Sequence, residues 1–277
     1  MVIKNVVFTG GGLRGWAYIG TIRALNESKK FNKIEQVAGV SIGSLFGLMY
    51  LLKVPWETLL DYAMNLDYND VIDMDLDNLL VNQSLMSGVK FMDHIKEFIS
   101  LKVDPEITFI ELKKYSGVLY TTLALNVNDS KVDYFNYQLT PDIKVADAIR
   151  ASCSLPGILP SYCINGKNYF DGGICNNTPL EFLTENDTVA FDICLKERGN
   201  NNTGNKIVDL VNSMMDILNV SYRPKANYEV HQILDSRFQK EIVNFNQTKD
   251  DIFNIYMIGY RNSKEIIFKN YIALPDI

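Results

Sequence analysis

Histidine is scarce in this chain, with two in 277 residues, and cysteine nearly so, with four. Cys153, Cys163, Cys175 and Cys194 form no Cys-x-x-Cys pair, and only His94 and His231 could join them as ligands. No metal site is therefore expected, and the cysteines read as buried free thiols. Asp73, Asp75 and Asp77 alternate like the opening of a calcium loop, but Asn78 stands where that loop needs glycine and Ser84 where it needs glutamate. Nowhere do about eighteen uncharged apolar residues follow one another, so no bilayer-spanning helix is expected. Basic runs are missing too, and a formal charge of -6 argues against nucleic acid as a partner. The start, Met1-Val2-Ile3-Lys4, turns glycine-rich by Gly10, so no secretory leader is expected in it. A cytoplasmic protein with at most transient, peripheral membrane contact is the expectation.

What is present is an ordinary globular composition, 47% hydrophobic and 22% charged, long enough to bury a full core. One domain over residues 1–277 is expected. Residues 2–9 read as a buried strand, and 13–27 carry a helical stripe of Trp16, Ile19, Ile22 and Leu25. A second strand follows at 34–40 and an apolar helix from Ser41 to about Leu52. This βαβα order implies a mainly parallel sheet. Pro55 is placed to start a helix, and Ser87-Gly88 to interrupt before another at 89–101. Strands are expected at 118–126, 132–137 and 188–195, helices at 143–150, 206–220 and 250–269, and an edge strand at 242–246. Asn165-Gly166 between two short apolar runs predicts a hairpin that delivers Asp171.

Gly10-x-Gly12-x-x-Gly15, between a strand and a helix, matches the dinucleotide fingerprint. That use wants an acidic residue ending the second strand, where Gly39-Val40-Ser41 stands instead, with Glu35 near the strand's start. The same glycines suit an oxyanion cradle: consecutive main-chain N–H groups at a helix N-terminus, reachable because no side chain covers them. Gly39-Val40-Ser41-Ile42-Gly43 has the form of a nucleophile elbow, although serine is also a common helix N-cap. Asp171-Gly172-Gly173 has a plain reading as a turn, weakened because Asn165-Gly166 already turns the chain five residues earlier. A triad of Ser41, Asp171 and His231 fails on context, since His231 falls among helically spaced Val230, Ile233, Leu234 and Phe238, and His94 lies within a helix.

Together these motifs resemble the patatin-like phospholipase family, related in architecture to the catalytic domain of cytosolic phospholipase A2. The likeness extends through Ala151-Ser152-Cys153-Ser154-Leu155-Pro156 and Asn176-Asn177-Thr178-Pro179 and covers most of residues 5–195. It implies a three-layer α/β/α fold with a mainly parallel central sheet and a Ser41–Asp171 dyad that needs neither histidine, metal nor cofactor. It also implies an oxyanion hole from Gly10, Gly11, Gly12, Leu13, Arg14 and Gly15, an elbow framed by Gly39 and Gly43, and a base turn at Gly172 and Gly173. Trp16 departs from relatives that carry smaller residues there, which leaves pocket width open. The implied activity is hydrolysis of fatty-acyl esters of membrane glycerophospholipids, or of another acyl-ester lipid, through an acyl-enzyme. Acyl transfer to another acceptor, neutral-lipid hydrolysis and lipid binding without turnover are the competing readings. Asp171 as a base should be raised by burial, with Phe170 and Ile174 nearby. Arg14 is a candidate partner for a lipid phosphate or a surface charge. The segment with Leu79-Leu80-Val81, Leu85-Met86 and Phe91-Met92 is a candidate cover for the site or simple helix packing.

Overall fold

The computed structural model describes residues 3–31, 33–73, 84–181, 183, 187–193, 229–234, 238 and 244–271. The expected helix at 206–220 and Leu79 to Val81 lie outside these residues. Strand β1, Asn5–Phe8, leads through a 3-10 turn at Gly12–Trp16 into α1, Ala17–Glu27. Strand β2, Gln36–Gly39, leads into α2, Ile42–Leu51. Helices α3, Trp56–Asn65, α4, Tyr68–Val71, and α5, Val89–Ser100, follow.

Helix α6, Phe109–Ser116, precedes β3, Leu119–Asn126, and is not announced by apolar periodicity. It is set by its ends. Thr108 and Glu111 form a reciprocal capping box, and Gly117 closes the helix at φ 71°. After β4, Lys131–Phe135, helix α7, Val145–Ser152, precedes β5, Tyr162–Ile164, and β6, Lys167–Asp171. Strands β7, Thr188–Asp192, and β8, Glu229–Gln232, and the final helix α8, Lys249–Tyr271, complete the described elements.

These strands form one sheet in the order β5-β6-β3-β2-β1-β7-β8, with β4 also on β3. From β3 to β8 the pairings are parallel, as the βαβα order requires; β4, β5 and β6 join antiparallel. Strand β3 acts as the ruler. Its Thr121 pairs with Ala38 near the end of β2, and three residues on its Ala124 pairs with Asp171. Both faces of the sheet are covered, which is why β1 is buried throughout, with Val6, Val7 and Phe8 in succession and its one polar side chain, Asn5, donating to Thr188 Oγ1. Val6 and Phe8 enter the main core with α1, α2 and α8, whereas Val7 packs on the other face with Ala38, Ala190, Leu180 and Leu183. The first and last helices meet backbone to backbone: a Cβ on Gly20 would stand 2.2 Å from the Tyr260 nitrogen.

Two expectations are corrected. His231 belongs to a strand rather than a helix, because Glu229–Gln232 takes the open parallel edge of β7, a tertiary pairing that the helical spacing of neighbouring apolar residues does not reveal. Of the edge strand expected at 242–246, residues 242 and 243 lie outside the described residues, and Phe245 and Asn246 lie in a turn leading to α8 rather than in a strand. Among the described residues no helix is long and apolar enough to cross a membrane.

Candidate active site

Between β2 and α2 the chain must reverse within two residues, and Ser41 takes up the turn at φ 53°, ψ -136°. A side-chain-bearing residue in this region is strained by about 1–3 kcal/mol and needs external restraint. The flanking glycines make room: a Cβ on Gly39 would lie 2.5 Å from the Gly43 carbonyl oxygen, and one on Gly43 would lie 2.3 Å from that of Thr9. Restraint comes from the main chain of Ser41. Its N–H donates to Ser152 Oγ at 2.8 Å, and its carbonyl accepts from Ser44 Oγ at 2.5 Å. The Ser41 side chain does not cap α2. Its hydroxyl instead donates to Asp171 Oδ2 at 2.6 Å.

Asp171 arrives by the expected hairpin, with Asn165 at φ 50° and Gly166 at φ 79°, as a two-residue primed turn requires. Pairing to Ala124 fixes its depth, its N–H donates to the Ser154 carbonyl at 2.9 Å, and its Oδ1 accepts from the Gly173 N–H at 2.8 Å. Asp171 is 2% exposed. Burial pushes it up to about 7, against the pull of the Ser41 and Gly173 hydrogen bonds, which favour the ionised form. Cys153, Leu155, Ile158 and Leu159 are among the apolar groups that share its cleft; Phe170 and Ile174, its expected apolar neighbours, flank it in sequence but do not line that cleft. The Gly172-Gly173 turn is a short 3-10 turn capped by Asp171 itself.

The glycine loop divides. Gly10 donates its N–H to Asn177 Oδ1 at 3.0 Å, so that amide is already engaged. Gly11 precedes the 3-10 turn and Gly12 opens it at φ 59°, and the amides at such a start have no intrahelical acceptor. Gly11, Gly12 and Leu13 line the cleft beside Ser41. Arg14 and Gly15 do not, which narrows the six-residue cradle expected from the sequence. Arg14 is buried and donates Nε–H to the Gly11 carbonyl at 3.1 Å, bracing the loop from behind rather than meeting solvent or a phosphate. Gly15 lets the loop settle on α2, since a Cβ there would stand 2.7 Å from Ile42.

The cleft encloses about 110 Å³ and is lined almost wholly by apolar groups. Leu155, Ile158 and Leu159 form one wall with Met86 and Phe91, and Val71 and Phe245 stand among the other lining residues. The candidate cover segment is therefore split: Met86 and Phe91 line the cleft, whereas Met92 packs against the main core. Trp16 does not line the cleft; its ring N–H reaches Tyr68 Oη and Gln247 Oε1, both at 3.2 Å.

Neither histidine joins the site. His94 bonds Tyr62 and the Asp70 carbonyl oxygen, and His231 is separated from β2 by β1 and β7. Glu35 pairs with Lys4 at 3.2 Å, away from the end of β2 where a ribose-binding acid would stand. Among the described residues no group of three or more His, Cys, Asp or Glu side chains is placed to hold a metal ion. Of the cysteines expected to be buried thiols, Cys153 is buried and Cys163 is exposed, while Cys175 is intermediate and Cys194 lies outside the described residues.

A family model described as Patatin-like phospholipase matches residues 6–184. A probable lipid hydrolase of Invertebrate iridescent virus 6 is 29% identical over 184 residues, covering 64% of this chain and 62% of the viral protein. The lysophospholipase NTE1 of Yarrowia lipolytica is 29% identical over 192 residues, covering 68% of this chain and 12% of that protein. The chain thus spans less than two thirds of either relative. Among solved structures, VipD of Legionella pneumophila superposes with a TM-score of 0.67 at 14% identity, covering 96% of this chain and 67% of that one, a likeness of fold.

Proposed function

The chain belongs to the patatin-like phospholipase family of carboxylic ester hydrolases, and from that premise we propose that it is a metal-independent serine lipid acyl hydrolase using Ser41 and Asp171. Its substrates in this reading are fatty-acyl esters of glycerophospholipids, met at a membrane surface by peripheral contact. The observation that carries the proposal is the 2.6 Å hydrogen bond from Ser41 Oγ to Asp171 Oδ2, two residues that line an apolar cleft together with Gly11 and Gly12. The names of the relatives, lipid hydrolase and lysophospholipase, support a lipid ester as substrate.

Ionised Asp171 accepts the Ser41 hydroxyl proton as Oγ attacks the ester carbonyl carbon. Negative charge then develops on the carbonyl oxygen, where the main-chain N–H groups of Gly11 and Gly12, with Leu13 next in line, stabilise it without reorganising. Collapse breaks the bond to the alcohol oxygen, which takes the proton from Asp171 and leaves as the lysolipid. Water attacks the acyl-enzyme next, giving its proton to Asp171. The second collapse releases the fatty acid and returns that proton to Ser41. A carboxyl group near neutrality suits both roles, base in the attack and acid toward the leaving alcohol.

The test is fatty-acid release from mixed phospholipid vesicles. Ser41→Ala and Asp171→Asn should each lose activity by about three orders of magnitude or more. Wild-type release by either variant would refute the mechanism, and release from no lipid ester, while a lysolipid acceptor still gains acyl groups, would assign acyl transfer instead.

A further inference from the structure

A strained residue stays strained only where its surroundings hold it, and the amide of Ser41 has few places to go. Pairing of β2 with β1 ends at Gly39, and the Val40 N–H takes the Phe8 carbonyl. The next amide, that of Ser41, precedes α2, whose first N–H groups have no helical acceptor. It donates to Ser152 Oγ, the last residue of α7, whose side chain is fully buried.

Two residues further on, the Ser154 carbonyl accepts the Asp171 amide at 2.9 Å. One short segment therefore holds the nucleophile's backbone at one end and the base's backbone at the other, across at most about 7 Å of chain. The segment is itself fixed. Arg150, 2% exposed, donates Nη1–H to Ser154 Oγ at 2.8 Å while Ser154 Oγ donates to the Arg150 carbonyl at 3.0 Å. Its guanidinium lies 5.3 Å from the Tyr162 ring centroid and 5.9 Å from that of Phe91. Gly88 leaves it room, since a Cβ there would stand 2.0 Å from Nη2.

We infer that Ser152 is a positioning residue for the reaction: its hydroxyl oxygen holds the Ser41 amide and, through the Arg150-clamped segment that also holds Asp171, sets the spacing of the two reacting side chains. The inference rests on the reading of Ser41 as nucleophile. Ser152 does not line the cleft, and the groups hydrogen-bonded to the Asp171 carboxyl are Ser41 and Gly173, so Ser152 acts on the reaction through the Ser41 backbone and the segment that holds Asp171. Loss of its oxygen leaves a donor unpaired and lets the elbow relax, and displacement of a reacting atom by about 1 Å costs on the order of a hundredfold in rate.

The experiment compares wild type, Ser41→Ala, Ser152→Ala and Ser152→Cys. Readouts are the rate of covalent labelling by a fluorophosphonate, and kcat, KM and pH profile on a p-nitrophenyl acyl ester. In Ser152→Ala, kcat and labelling rate should fall about tenfold or more, with KM within about threefold of wild type, and the pH midpoint should hold or rise, because a weakened Ser41 hydrogen bond favours the ionised Asp171 less. Ser152→Cys keeps the volume but offers a weak acceptor, and reads the same contact should the alanine variant not fold. A labelling rate within about twofold of wild type in either folded variant, or a change confined to KM, overturns the positioning role. Failure of the underlying reading looks different: Ser41→Ala would then be labelled like wild type.

Discussion

Asn177 Oδ1 accepts the Gly10 N–H at 3.0 Å across 167 residues of sequence, joining the glycine loop after β1 to the loop that follows Asp171. The same oxygen limits both turns, since a Cβ would lie 2.6 Å from it at Gly10 and 2.8 Å from it at Gly173. The cradle and the base are thus referenced to one side chain. Asn177→Ala should destabilise the fold by about 1–3 kcal/mol, the usual effect of leaving a buried donor unpaired, and should lower kcat about tenfold or more by loosening the Gly11 and Gly12 amides. Thermal unfolding and fatty-acid release together check this.

Activity should titrate with the base. Asp171 is pushed up to about 7 by burial and must be ionised to take the Ser41 proton. Accordingly kcat/KM should rise about tenfold per pH unit below neutrality and level off above it. A rate profile on a soluble ester between pH 4 and 9 decides the matter, and a midpoint near the ordinary carboxylate value of about 4 would contradict the burial argument.

The same shift has a consequence for stability, with a definite sign. The folded carboxyl, near 7, holds its proton more tightly than the unfolded one, near 3.8. Its favourable contribution is complete below the unfolded value and is lost as pH rises through the folded one, a loss on the order of 4 kcal/mol for a fully buried group. Asp171→Asn removes that loss. Relative to wild type, its Tm should gain several degrees more at pH 8 than at pH 5. Equal gains at both values would contradict the shift.

The elbow has no spare volume. A methyl group at Gly43 would stand 2.3 Å and 2.4 Å from the carbonyl oxygens of Thr9 and Phe8, both main chain of the central strand and its exit. Gly43→Ala should therefore displace α2 from β1, at a stability cost of about 3 kcal/mol or more, and abolish activity. Gly166→Ala is the control. It has open space around it, so its effect is confined to the cost of a positive φ at a surface turn.

The parts of this site that were legible in the sequence are those written in contiguous residues. Gly39 to Gly43 encodes an elbow because the small residues its strained turn needs are contiguous with it, and Asn165-Gly166 encodes the hairpin that brings Asp171 to Ala124. Arg14 was not legible: at a helix start it reads as surface charge or an anion ligand, and only the fold turns its Nε onto the Gly11 carbonyl. Ser152 and Asn177 appear in the sequence only within longer motifs, and their roles come from partners 111 and 167 residues away. His231 misled through periodicity, since Val230, Ile233 and Leu234 have helical spacing while the vacant edge of β7 draws Glu229–Gln232 into the sheet. Helix α6 had a readable signal in Thr108, Glu111 and Gly117, which apolar spacing alone passes over.

The most direct test of the dyad is the mass of the intact protein, and of its Ser41 peptide, after brief exposure to an alkyl fluorophosphonate. Wild type should gain a single adduct on Ser41, Ser41→Ala none, and Asp171→Asn should gain it slower by about a thousandfold while remaining folded. An adduct on another residue, or labelling of Asp171→Asn at the wild-type rate, would contradict a nucleophile at Ser41 activated by Asp171.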